Sequence, residues 1–460
     1  MTRLDLLVRG GAVVTPNDIS IADVAVSHGE IVEVSPEIAG TAREEIDARG
    51  LHVLPGVVDV HVHFNEPGRT DWEGWATGSA ACVVGGTTTV AEMPLNAHPP
   101  TLDGASFDAK HKAAEASSRV DFALWGGLTP VNLERMEELA GRGVIGFKAF
   151  MSSSGIDDFP AADDATLFAG MRRAAALRLP VAVHAENDVL TSALAASSVA
   201  TGHITARDYL ASRPAIAEIE AIARALLLAE ETGCALHVVH VSTGRGIAQI
   251  AAARARGVDV TAETCPHYLV FDEVDLQRLG AIAKCAPPLR PRCEVDRLWQ
   301  ALAWGDIQIV ASDHSPAPAE MKSGDDFFRI WGGISGCQSL LTSVLSAGHI
   351  GREIPLPSLA SLMADVPASR FRMITKGRIA PGYDADLVLV DLRESFTLRA
   401  DDLQYRHKHS PFAGMTFASR PRRTILRGQT VVIDGNVVGT PRGRLVTPAL
   451  PVLVPLPAGG

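Results

Sequence analysis

The amino-acid sequence predicts an α/β protein: a (β/α)8 barrel of the TIM type with a small β-sandwich domain built from both chain ends. Three observations predict it. Eight apolar, β-rich runs alternate with stretches of helix-forming composition. Metal-ligating and proton-transferring residue types gather at the C-terminal ends of those runs. Short strands punctuated by Gly, Asn and Asp occupy both ends of the chain.

The first 55 residues read as strands Leu4–Val8, Ala12–Thr15, Ile21–Ser27 and Ile31–Val34, with bends at Gly10-Gly11, Pro16-Asn17-Asp18 and His28-Gly29-Glu30. Alternation broken by such turn residues signals an antiparallel sheet. Asp386–Asp391, Arg423–Arg427 and Thr430–Ile433 repeat that texture near the other end. Neither end supplies enough strands alone, so residues 1–55 and 378–447 are expected to form one domain, flanking a barrel over 56–377 and leaving 448–460 as a Pro-rich tail. The basic run Ser419–Arg423 reads as a solvated turn.

The barrel runs are Leu51–Phe64, Thr87–Met93, Asp121–Leu128, Val144–Phe150, Pro180–Glu186, Ala235–Ser242, Asp259–Cys265 and Gln308–Ser315. Between them lie helical stretches such as Ala215–Glu231 and Gly246–Arg256. Near-continuous apolar strands alternating with helices imply a parallel sheet covered on both faces. A doubly wound open sheet is the alternative, but Gly85-Gly86 precedes a strand instead of opening a helix, so no phosphate fingerprint follows the first strand.

The bulk numbers exclude several classes. At 460 residues the chain exceeds the size at which one core stops growing. Hydrophobic residues make up 47% and charged ones 21%, the balance of a packed globular protein. A formal net charge of −11 opposes general affinity for nucleic acid or an anionic membrane. No apolar run is long enough to span a bilayer, and Met1–Asp5 does not open a signal peptide. The six cysteines lack Cys-x-x-Cys spacing, which suits reduced thiols in a cytoplasmic protein.

His61 and His63 end the first run two residues apart, so a strand projects both imidazoles from one face, as a divalent metal requires. The second run ends with Glu92 and the nearby Asn96, the fifth with His184 and Glu186, the sixth with His240 and Ser242. The seventh ends Cys265-Pro266-His267 and the eighth Ser312-Asp313-His314-Ser315. His237, three residues before His240, is expected on the opposite strand face, towards a helix. His267 and His314 are candidates for orienting ligands or substrate. Asp313 is the remaining anion, able to take a proton from water and hand it to a leaving nitrogen.

Lys148 sits in Gly146-Phe147-Lys148-Ala149-Phe150, where a charged ammonium is costly. It must pair with an acid, lose its proton, or be modified. A neutral amine that adds carbon dioxide becomes a carbamate with two oxygens, suited to bridging two metal ions.

Together these residues resemble the cyclic amidohydrolases of the amidohydrolase superfamily, a group that includes hydantoinases and dihydropyrimidinases, and within it the allantoinase family. The resemblance covers nearly the whole chain. It is carried by His61-Val62-His63-Phe64-Asn65-Glu66-Pro67-Gly68-Arg69, Glu92-Met93-Pro94-Leu95-Asn96, Gly146-Phe147-Lys148, His184-Ala185-Glu186-Asn187, His240-Val241-Ser242, Lys284-Cys285-Ala286-Pro287-Pro288, and Ser312-Asp313-His314-Ser315. It implies two divalent metal ions, zinc with manganese or cobalt as alternatives, held by His61, His63, carboxylated Lys148, His184, His240 and Asp313. It also implies a homotetramer acting on a small cyclic ureide, allantoin opened to allantoate, through a hydroxide shared by the metals with Asp313 as base and acid. Asn65, Asn96, Ser315 and Gly333 would then contact substrate. Dihydroorotases of this type carry arginine where this chain has Asn65. Hydantoinases place a tyrosine shortly after the lysine, where this chain reads Met151-Ser152-Ser153-Ser154-Gly155. A non-catalytic scaffold of the same fold would lack some of the ligands.

Overall fold

The computed structural model describes residues 4–449, so the expected tail lies almost wholly outside the described residues. Eight parallel strands form the barrel: β1 (Val57–Val62), β2 (Thr87–Glu92), β3 (Asp121–Leu124), β4 (Phe147–Phe150), β5 (Val181–His184), β6 (Leu236–Val238), β7 (Val260–Thr264) and β8 (Ile309–Val310). Neighbours pair in parallel from β1 to β3 and from β4 to β8, and Gly126-Gly127, just past β3, joins β4. The ring closes where Val62 bridges His314 and the His63 amide donates to the His314 carbonyl at 2.8 Å.

Alternation along these strands divides the core into two layers. Val58, Val60, Ala91, Ala123, Ala182, Val239 and Ile309 fill the barrel with Trp125 and Phe371. Val57, Val62, Val90 and Phe122 face the surrounding helices. Helix Ala215–Thr232 buries Ala217, Ala221, Ile222, Ala225, Leu226 and Ala229, a stripe at three- and four-residue spacing, and stops at Gly233 in the left-handed conformation. Helix Gly244–Ala255 starts where the Thr243 hydroxyl accepts from the Gly246 amide.

The β-sandwich domain draws on both ends through one nine-stranded sheet. Its join is the antiparallel pairing of His52–Pro55 with Leu387–Asp391. Two expectations change here. Leu4–Val8 and Ala12–Thr15 are one strand, Leu4–Val14, because Gly10-Gly11 forms a bulge, not a turn. The bulge lets that strand pair in parallel with both Ala42–Asp47 and His52–Pro55. The basic run from Arg420 is likewise no turn. It opens strand Arg420–Leu426, with Arg420 and Arg422 both paired to Glu394.

Gly56 separates the sandwich strand from β1, and a Cβ there would meet Thr88 Oγ1 at 2.2 Å. Beneath the barrel, buried Lys376 binds Asp121, Asp384 and Asp386, tying β3 to the sandwich. These carboxylates are close enough together to hold a metal ion, but the Lys376 ammonium already lies among them.

Candidate metal centre

The C-terminal ends of the strands surround a cavity of about 620 Å³. His61, His63 and Asp313 form one group on its floor, with Asp313 Oδ1 3.2 Å from His61 Nε2 and 3.5 Å from His63 Nε2. His184 and His240 form a second, with Nδ1 of one 3.1 Å from Nε2 of the other. The His61 and His240 rings, 5.4 Å apart, connect the two. Lys148 Nζ lies 5.0 Å from the centroid of the Phe150 ring, which stacks on His184 at 4.5 Å.

The Lys148 amine is fully buried and has no hydrogen-bond partner. Burial pushes its pKa down to about 8, against the pull of Asp313 and Glu263. Such an orphaned cation is the environment expected to favour a neutral amine. Burial also lowers His63 to about 4, so it is a neutral, metal-competent imidazole at neutral pH. Asp313 shows the reverse balance: burial raises it, but His61 and His63 hold it below the usual carboxylate range. These donors suit divalent cations, and the amine suits conversion to an anion.

Local backbone helps to aim the side chains. His240 (φ 40°) and Asp313 (φ 45°) are left-handed, as are Asn65 (φ 64°) and Asn96 (φ 69°). Non-glycine residues in that region carry strain that clusters at functional sites. The His240 turn breaks strand alternation, so His237 does not face a helix as its spacing predicts. It packs inside the barrel with Trp125 and Phe371 and reaches Glu263 Oε2 at 3.1 Å.

Glu263, next to the C-terminal end of β7, escaped the sequence reading. Its carboxylate accepts from the His240 amide at 3.1 Å and lies 2.7 Å from His61 Nδ1. Burial opposes its charge, but His61 and His237 hold it well below the usual range. The available signal was the one charged residue in a short strand of Val, Thr and Ala. Glu186 plays a similar part for His184, at 3.0 Å, and is itself paired with Arg213.

Other strand-end residues do not join the cavity floor. Glu92 is buried against Lys110, and Ser242 hydrogen-bonds Glu218. His267 lies beside Cys265 and Asp313 with both ring nitrogens unpartnered. His314 stacks on Tyr405 at 4.9 Å.

Asn96, Ser315 and Gly333 line the cavity, whereas Asn65 does not, its amide lying 3.5 Å from the Pro316 carbonyl. A Cβ at Gly333 would meet the Ser315 carbonyl at 2.2 Å. The Gly333 amide donates to the Lys284 carbonyl, and buried Lys322 donates to the carbonyls of Trp331 and Gly333.

A sequence model described as "Amidohydrolase family" matches residues 52–431. The chain belongs to the amidohydrolase family. Within this family it is 60% identical over 97% of its length to an allantoinase of Rubrobacter xylanophilus, covering 98% of that protein. It is 54% identical to an allantoinase of Solibacter usitatus, with 96% of this chain and 97% of that protein covered. Among solved structures, an L-hydantoinase (dihydropyrimidinase) from Arthrobacter aurescens superposes with a TM-score of 0.94 at 36% identity, over 96% of this chain and all of that one. A dihydropyrimidinase from Brevibacillus agri gives 0.90 at 32%, over 97% and 99%. The family implies a binuclear metal centre. Among the described residues no helix is long and apolar enough to cross a membrane.

Proposed function

We propose that this chain hydrolyses the ring amide of allantoin to give allantoate. The observation that carries the reading is near-full-length identity to allantoinases, 60% and 54%, against 36% for the hydantoinase that shares the fold. The cavity wall after Lys148 supports it: Ser153, Ser154 and Gly155 line the cavity, and residues 149–155 hold no tyrosine of the kind that hydantoinases carry shortly after the lysine.

His61, His63, Lys148 as its carbamate, His184, His240 and Asp313 would hold two divalent cations, with zinc the fitting metal for this imidazole-rich set. When bound, the cations supply Lewis acidity towards the ring carbonyl and make water easier to ionise. Asp313, held ionised by its histidine neighbours, takes the proton of the attacking water. The same carboxyl then returns that proton to the departing ring nitrogen. Asn96, Ser315 and the Gly333 backbone orient the ring and its ureido arm, and Asn65 acts through the turn that begins at its left-handed backbone. Arg213 is neutralised by Glu186, and burial lowers the Lys284 amine to about 7, which weakens its charge, so the wall suits an uncharged ureide.

The six cysteines are all unpaired, which fits a reducing, cytoplasmic setting, and the enzyme is read as a homotetramer. The hydantoinase likeness favours one rival, a hydantoinase or dihydropyrimidinase. Comparing kcat/KM for allantoin, hydantoin and dihydrouracil separates them. Allantoin is expected to lead clearly; a faster rate on either other ring overturns the assignment.

A further inference from the structure

The foot of the barrel carries a second, strongly basic cleft of about 490 Å³. It lies at the seam with the sandwich, beside Asp121, the first residue of β3, and so on the opposite side from the metal centre. We propose that this cleft binds an oligophosphate chain through Arg43, Arg427, Arg442 and Arg444.

Four guanidiniums line the cleft against one carboxylate, Asp5, which already accepts from the His28 amide at 2.6 Å. Only Arg427 is paired: it binds Asp121 and donates to the Arg442 carbonyl at 2.6 Å. Among the described residues the side chains of Arg43, Arg442 and Arg444 make no ion pair or hydrogen bond, although most arginines of this chain do. Burial, with the charges of Arg427 and Arg444, lowers Arg442 from its ordinary value. Converging cations on a chain of net charge −11 are a local feature that the overall balance works against. An anion with several charges supplies the missing partner.

Guanidinium forks match phosphate oxygens in bidentate geometry, and several separated forks favour a chain of phosphates over one. A cleft of this volume falls in the range of small-molecule sites. His28 is its only aromatic wall, so nothing there offers a nucleobase a broad stacking surface. The recognised part is therefore the phosphate chain, whether free or attached to a nucleoside. The segment bearing Arg442 and Arg444 is tied to β3 by Phe122 N to Arg444 O and Arg444 N to Asp121 Oδ1, both 2.9 Å. Arg43 comes from sandwich strand Ala42–Asp47. A bound chain would fasten the sandwich to the barrel and raise the melting temperature, as any ligand of the native state does.

The test is calorimetric titration of the metal-loaded enzyme with tripolyphosphate, ATP and orthophosphate. Saturable binding of tripolyphosphate at one equivalent per chain is expected, with ATP comparable and orthophosphate weaker. Affinity should fall at least about tenfold in Arg442→Gln, and in Arg43→Gln, whose exposed position guards against misfolding, with anion-free hydrolytic activity unchanged. Absence of saturable binding, or equal affinity in wild type and both variants (the sign of chelation at the metal centre), overturns the proposal. Binding of ATP without binding of tripolyphosphate overturns it too.

Discussion

Glu263 Oε1 lies 2.7 Å from His61 Nδ1, leaving the other nitrogen of that ring 3.2 Å from Asp313. One buried carboxylate thus sets the tautomer and direction of His61, while also holding His237 and the His240 backbone. Partners of this kind tune ligand basicity and orientation.

Replacing Glu263 with Gln removes that charge. Metal affinity is expected to weaken about 10- to 100-fold. Chelator competition measures it, and an unchanged affinity would show that His61 is oriented by other contacts.

Asp313→Ala should lower turnover by about 10²–10⁴-fold, the range for a lost general acid–base. Metal content should remain largely intact, because imidazoles still supply most of the donors. Turnover near wild type would remove Asp313 from the proton-transfer role.

Lys322 is a buried lysine whose amine donates to backbone carbonyls alone, including Trp331 at 2.9 Å, Ala281 at 3.3 Å and Lys284 at 3.4 Å. It pins the wall that presents Gly333. Lys322→Met is expected to raise KM roughly tenfold, about 1.4 kcal/mol of lost binding, with kcat little changed. A fall in kcat alone would contradict this role.

Glu73 supplies a pH signature. Burial raises its pKa to about 7 against hydrogen bonds from Thr77 and the Arg406 amide, and Oε2 has no hydrogen-bond partner. The folded protein therefore holds this proton more tightly than the unfolded chain, whose value is near 4.5. Its contribution favours folding at low pH and is lost as pH rises through about 7. Relative to wild type, Glu73→Gln should gain up to about 3 kcal/mol between pH 4.5 and pH 8. Denaturant melts at both pH values measure it; a difference independent of pH contradicts the linkage.

What the sequence disclosed follows from local periodicity. The His61–His63 spacing, the apolar runs and the helical stripe of Ala215–Thr232 each express a period that the backbone imposes. The departures occur where the backbone leaves those periods. The left-handed turn at His240 puts His237 inside the barrel, and the bulge at Gly10-Gly11 merges two expected strands. Glu263, Lys322 and Glu73 were illegible for another reason. Each has a decisive partner far along the chain, His61 for Glu263, Ala281 for Lys322 and Arg406 for Glu73, and only the folded protein brings them together.

The proposed function requires Lys148 to complete a cage for two cations. The most direct measurement is metal stoichiometry of the purified protein and of Lys148→Ala, by elemental analysis after growth with zinc. Two ions per chain are expected in the wild type, with loss of at least one together with activity in the variant. Two tightly held ions and normal turnover in Lys148→Ala would contradict it.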